Sequence, residues 1–191
     1  MIKRTSLLLD YRRKFHSFGQ EAKNFYYNLK SSQCSRYGYF ENFKMKLYSN
    51  GENQTKIDAN LKLKPINQNY EIEAMEIFSM SLEYLCQQAK DEIGQKCGLR
   101  LTHDDIVWVI TVPAIWSDQT KQFIRLAAER TGLICGEMLR IALEPEVASL
   151  YCRKFLSNEL RNSKSKIQST IEPGISYLII DLGGGTVDVS R

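Results

Sequence analysis

From residue 106 onward, strand-like and helix-like stretches alternate, and that alternation constrains the fold more than any other feature of the chain. Ile106-Val107-Trp108-Val109-Ile110-Thr111-Val112 is a continuous run of β-branched and aromatic residues, the pattern of a strand buried on both faces. Pro113 stops it. Ser117-Asp118 then offers a helix N-cap, residues 119–131 follow as helix, and Gly132 closes it. Residues 138–143 read as the next strand. Glu144-Pro145-Glu146 opens another helix, with Pro145 suited to the first turn, and that helix runs to about Phe155. Residues 177–181 are a further strand, and 186–190 a partner strand joined to it through a glycine turn. Strand and helix in this succession give an α/β class.

The front half is less regular. Residues 6–10 read as a strand, 11–18 as a charged turn or hairpin, and 20–29 as a short helix. Residues 37–48 are aromatic and partly alternating, and fit strand and helix equally. Residues 50–69 are polar, a surface loop or short hairpin. Residues 71–96 form the clearest helix: Met75, Phe78, Leu82, Leu85, Ala89 and Ile93 recur at steps of three and four. That stripe is core packing, not a cofactor box. Gly94 and Gly98 weaken or end it. Residues 157–174, with Lys/Ser repeats and Pro173-Gly174, read as a loop.

At 191 residues the chain can bury one good core, or one and a half small ones. The net charge of +4 is uneven: residues 1–48 hold ten Lys/Arg against three Asp/Glu, and the rest hold sixteen against nineteen. A basic front could meet phosphate or nucleic acid, and a solvated lysine-rich surface is the plainer reading. The five cysteines are odd in number and none is spaced as CxxC, which argues against a disulfide framework or a zinc site and for a reduced cytoplasmic or nuclear compartment. His16 and His103 are too few for a histidine metal site. No apolar run reaches the length that spans a bilayer, and the apolar part of residues 1–9 is too short for a signal peptide.

Chemistry concentrates at Tyr177-Leu178-Ile179-Ile180-Asp181-Leu182-Gly183-Gly184-Gly185-Thr186-Val187-Asp188. Three successive glycines can present backbone N–H groups to phosphate at close range. Asp181 and Asp188 bracket them and could hold a hydrated Mg²⁺ or orient a water. The chain carries no GxxxxGK[ST] loop, and Gly183-Gly184-Gly185 does not match GxGxxG. A β-hairpin whose tight turn wraps a phosphate fits instead.

The segment from Asp181 to Asp188 resembles the second phosphate loop of the actin, sugar-kinase and 70-kDa heat-shock chaperone ATPase superfamily. Two further segments are similar to the chaperone family: Thr111-Val112-Pro113-Ala114-Ile115-Trp116 followed by Ala127-Ala128-Glu129-Arg130-Thr131-Gly132-Leu133, and Arg140-Ile141-Ala142-Leu143-Glu144-Pro145-Glu146-Val147-Ala148-Ser149-Leu150-Tyr151. Phe18-Gly19-Gln20-Glu21-Ala22-Lys23-Asn24 is a fainter likeness, and the variant details look like the divergent heat shock 70 kDa protein 12 branch. The resemblance is least over residues 49–70.

The resemblance implies a ribonuclease-H-like, actin-like ATPase core subdomain with a smaller inserted α/β subdomain. Residues 1–104 would form the first strand and the inserted part, and residues 105–191 the core. It implies ATP/ADP and Mg²⁺ as cofactors. Gly183, Gly184, Gly185 and Thr186 would bind phosphate, Asp181 would hold metal through water, and Asp188 would help position metal or water. Glu144 would orient the metal-bound water, and Pro113 would act as a switch near the nucleotide. Lys44 is the candidate for the lysine near the γ-phosphate, with Lys46 competing. The family's first phosphate loop and adenosine motif are absent from these 191 residues. The chain therefore reads as a partial nucleotide-binding domain, weak or inactive alone. The alternative is a non-catalytic ATPase-fold regulator or interaction fragment. Co-chaperones or client proteins are the implied partners, with neither nucleic acid nor membrane.

Overall fold

The computed structural model describes residues 5–47, 61–102, 104–134, 136–162, 178–182 and 187–190. It is a mixed α/β structure that divides into two units, Met1–Val107 with Ser117–Met138, and Trp108–Trp116 with Leu139–Arg191.

The first unit is built on an antiparallel sheet of β1 (Ser6–Leu9), β2 (Phe15–Phe18) and β3 (Gly38–Glu41), in the order β2-β1-β3. All four residues of β1 are buried, as a central strand covered on both faces must be. On one face Leu8 packs with Ala22 of α1 (Gly19–Tyr27) and with Tyr39, and the Tyr26 ring stacks on Tyr39 at 4.5 Å. Leu7 pairs with both Phe18 and Phe40 in register, which sets those three on the opposite face. There the Phe15 and Phe18 rings meet Tyr84 at 5.3 and 5.5 Å.

Phe15 and Phe18 are three apart in sequence, yet both meet Tyr84. A bulge between Leu8 and Leu9 explains it: Leu9 opposes Phe15 and Leu8 opposes Ser17, so His16 is the extra residue. The His16 ring turns to Phe25 of α1 at 4.3 Å.

Tyr84 belongs to α3 (Ala74–Cys97), which follows a four-residue helix α2 (Ser31–Cys34) and the short antiparallel pair β4 (Lys62–Leu63) and β5 (Ile72–Glu73). The outer edge of β3 is held by residues 66 and 67: Ile66 N–H donates to the Tyr39 carbonyl (2.9 Å), and Asn67 Oδ1 accepts from Tyr39 N–H (3.0 Å). The Asn67 amide nitrogen donates to the carbonyls of Tyr37 (2.7 Å) and Cys34 (3.0 Å). One side chain thereby substitutes for a length of neighbouring strand. Residues 37–48, readable either way in sequence, split into β3 and a 3₁₀ helix, Phe43–Leu47.

The α3 stripe differs from the periodicity expected. The buried positions are Ala74, Ile77, Phe78, Ser79, Ser81 and Cys86, whereas Leu85 and Ile93 are exposed. Serine fills close-packed positions because its hydroxyl is satisfied inside the helix: Ser79 Oγ donates to the Met75 carbonyl and Ser81 Oγ to that of Ile77. Gly98 ends α3 in the left-handed region at φ 64°. Against α3 lies α4 (Asp118–Glu129), whose Thr120, Phe123, Ile124, Ala127 and Ala128 are buried at one helical face. Its N-cap is Ser117, whose Oγ accepts from Thr120 N–H.

The second unit holds a parallel pair, β6 (Trp108–Val112) and β7 (Leu139–Leu143), then α5 (Glu144–Asn162), then an antiparallel hairpin of β8 (Ile179–Leu182) and β9 (Val187–Ser190). Helix α5 packs on all four strands. Two expectations are corrected here. β6 is not buried on both faces, since Val109 is 55% exposed and exposure alternates along the strand. Among the described residues it pairs with one strand, β7. Helix α5 runs to Asn162, beyond the expected end near Phe155, so its last turns fall in a stretch read as loop. Among the described residues, no helix is long and apolar enough to cross a membrane.

Candidate functional site

The β8–β9 hairpin sets two acids against each other. Register pairs Ile179 with Ser190, Ile180 with Val189, Asp181 with Asp188 and Leu182 with Val187. Residues 183–186 therefore join the strands directly, and Asp181 and Asp188 occupy opposed positions one pair before that connection. Opposed positions of an antiparallel ladder lie on the same side of the sheet, about 5 Å apart at Cβ. Asp181 is half-buried and Ile180 beside it is exposed. Gly183, Gly184, Gly185 and Thr186 lie outside the described residues.

The parallel pair brings two more of the sequence-selected residues to one edge. Val112 pairs with Leu143 at the C-terminal end of β6 and β7. Pro113 and Glu144 are the next residues on each strand, so they leave the sheet side by side at the edge where open α/β sheets bind ligands. Pro113 is buried and its carbonyl accepts from Trp116 N–H (3.2 Å), which turns the chain away from β6. Glu144 is half-buried and opens α5 with Glu146 in the first turn, where the helix N-terminus favours negative charge.

Lys44 belongs to the other unit. It lies in the 3₁₀ helix after β3, where Asn42 takes a left-handed φ of 55° and donates its N–H to the Thr5 carbonyl (2.8 Å). Asparagine tolerates that conformation better than most residues. Phe43 anchors the turn: its ring meets Phe78 edge-on at 5.2 Å, and Phe78 meets Phe123 at 5.5 Å. Lys44 is half-buried and Lys46 exposed. Sequence periodicity put Phe78 in the core but gave no sign that it ties this turn to α4, because the three rings come from distant segments.

Among the described residues, no group of three or more His, Cys, Asp and Glu could enclose a metal ion by itself. The donors in register are carboxylates, which as hard oxygens match Mg²⁺, an ion that keeps several waters and takes one or two carboxylates. The described cysteines, Cys34, Cys86, Cys97 and Cys152, are free thiols. Burial pushes the Cys86 thiol up to about 11, against an opposing effect of Lys90.

Known proteins resemble this chain along most of its length. A family model described as "Hsp70 protein" covers residues 20–191. The chain is 35% identical to heat shock 70 kDa protein 12A of Homo sapiens across 97% of its own length and 33% of that protein's. It is 32% identical to heat shock 70 kDa protein 12B of Homo sapiens over the same shares. It is 35% identical to chaperone protein DnaK of Mycoplasmopsis agalactiae, over 65% of this chain and 16% of that one. The chain thus spans about a third of the length of heat shock 70 kDa proteins 12A and 12B. With nine-tenths of its residues inside the family model and a third of them identical to those of full-length relatives, this chain belongs to the Hsp70 family.

Proposed function

We propose that the chain supplies part of a nucleotide-binding domain of a chaperone-type ATPase, taking ATP or ADP with Mg²⁺. The observation that carries this reading is the direct opposition of Asp181 and Asp188 beside a connection that contains three glycines. Like charges directly opposed weaken a ladder. A hydrated divalent cation shared by both acids turns that cost into a gain.

In this reading, residues 1–104 form the first strand and inserted subdomain and residues 105–191 the ribonuclease-H-like core. Gly183, Gly184 and Gly185 donate backbone N–H groups to phosphate oxygens, and the Thr186 hydroxyl donates beside them. Asp181 and Asp188 accept hydrogen bonds from metal-bound water and hold the ion in place. Glu144, at the C-terminal edge of the parallel pair, accepts a proton or hydrogen bond from the attacking water. Lys44 is the cation that phosphoryl transfer requires. Bound Mg²⁺ supplies charge neutralisation on the phosphates and a polarised water. Co-chaperones or clients are the proposed partners, and the cytoplasm or nucleus the proposed compartment.

The test is a chimera in which these 191 residues replace the matching third of heat shock 70 kDa protein 12A, compared with the same chimera carrying Asp181→Ala. The expected result is Mg-ATP turnover that falls by about 100-fold or more with the substitution, the scale of losing one preorganised electrostatic group. Equal rates would remove the mechanism. Nucleotide binding without turnover in both would favour the non-catalytic regulator.

A further inference from the structure

The first unit carries a concavity lined by residues of β3, the 3₁₀ helix and β4, with a volume of about 290 Å³. Its floor is apolar: Phe40, Phe43 and Leu63 are 1, 3 and 5% exposed and contribute to the wall. Among the described residues, its lining also includes three lysines, Lys46, Lys62 and Lys64, and one acid, Glu41.

The charges gather for a local reason. In the extended chain through β4, Lys62 and Lys64 alternate with Leu63, so both lysines face solvent while Leu63 turns inward. Lys46 arrives from the 3₁₀ helix. With about three residues per turn, residues two apart point well away from each other. Lys46 therefore lines this concavity and Lys44 does not. The proposed phosphate lysine and this rim are separate, and nothing here depends on the nucleotide reading.

We propose that this concavity is a binding site for a small organic anion with an apolar body, of the class of aryl phosphates and aryl carboxylates. The volume lies at the small end of ligand pockets, which run from about 300 Å³ upward, and suits one ring and one anionic group. Two phenylalanines on the floor offer ring contacts. Among the described lining residues, three lysines face one glutamate, a balance that favours an anion, and ammonium groups act as point charges that suit phosphate or carboxylate.

The test is titration of phenyl phosphate into the intact chain, read by amide chemical shifts of residues 61–64, with phenol, inorganic phosphate and an oligo-aspartate peptide as parallel probes. The expected result is saturable binding of phenyl phosphate, with phenol and inorganic phosphate each about 10-fold weaker, because each lacks one half of the match. The triple variant Lys46→Gln/Lys62→Gln/Lys64→Gln is expected to bind about 10-fold more weakly, the sum of three exposed charge contacts. The pair Lys23→Gln/Lys30→Gln, which also removes lysines but none from the rim, is expected to bind as the parent does. All replaced side chains are exposed or half-exposed, and matching circular-dichroism melts would confirm that the fold is retained. Equal binding of phenyl phosphate and inorganic phosphate would overturn the proposal, as would equal losses in the two variants or no saturable binding. Saturation by oligo-aspartate with phenyl phosphate silent would overturn it in favour of an acidic protein segment.

Discussion

Asp181 stands directly opposite Asp188 in the β8–β9 ladder, one pair from the connection between the strands. Like charges in directly opposed ladder positions weaken the pairing. Asp188→Asn is therefore expected to stabilise the metal-free chain by about 0.2–1 kcal/mol, the range of a cross-strand pair. The same change is expected to lower nucleotide turnover in the chimera. Urea melts in EDTA and a steady-state assay with Mg-ATP measure the two effects. A variant that loses both stability and turnover would show that the acids are not in repulsion.

The isolated chain is expected to bind Mg-ATP more weakly than micromolar. Its 191 residues contain the glycine turn proposed to bind phosphate, Gly183 to Gly185, but not the first phosphate loop or the adenosine motif that the family resemblance implies. Isothermal titration measures this directly, and micromolar affinity would overturn it.

Gly38→Ala is expected to destabilise the first unit by about 1–3 kcal/mol, the usual cost of overpacking. A Cβ at position 38 would strike the hydroxyl and the ring carbon bearing it on Tyr70, and the Arg13 guanidinium lies over that ring at 4.7 Å. Tyr70→Phe removes the nearest atom but leaves the ring carbon behind it, so the double variant should regain only part of the loss. A double-mutant cycle in urea is expected to show coupling above about 0.5 kcal/mol. Strict additivity would mean that Tyr70 does not sit against Gly38.

Cys86 gives a pH signature. Its thiol is raised to about 11 by burial, above the unfolded value near 9. The group's contribution to stability is therefore fully present below pH 9, and is lost as pH rises through 11, because the unfolded chain releases its proton first. The loss across that window is on the order of 2–3 kcal/mol. It should be smaller in Cys86→Ala, read from melts at pH 8 and 10.5. Exposed Cys97 and Cys152 should react with a thiol reagent at pH 8 well before Cys86.

The second half of the chain was largely legible because its signals are local. Ser117 announces the start of α4, and the apolar runs before Pro113 and Glu144 announce β6 and β7. The hairpin was legible for the same reason, since four residues between two apolar stretches leave little choice of register. The front half hides its logic in distant contacts. No local pattern shows that His16 is the bulged residue, that Asn67 closes the edge of β3, or that Phe43, Phe78 and Phe123 meet. The α3 stripe was misjudged at Leu85 and Ile93 because hydrophobic spacing cannot tell how far the sheet beneath a helix extends, and a count of apolar residues passes over buried serines. At the candidate site, Asp181 and Asp188 stand out in sequence because they bracket three successive glycines. The separation of Lys44 from Lys46 needed the 3₁₀ geometry, and Lys62 and Lys64 lay in a segment that polarity alone marks as surface.

The junction of β7 and α5 has no linker. Leu143 is the last strand residue and Glu144 the first helical one. A helix joined to a strand in this way cannot slide along its axis or turn about it without pulling on the strand. One added residue at that junction would swing Glu144 about 100° around the helix and advance it by about 1.5 Å. Insertion of a single glycine between Leu143 and Glu144 would add slack at a junction that has none.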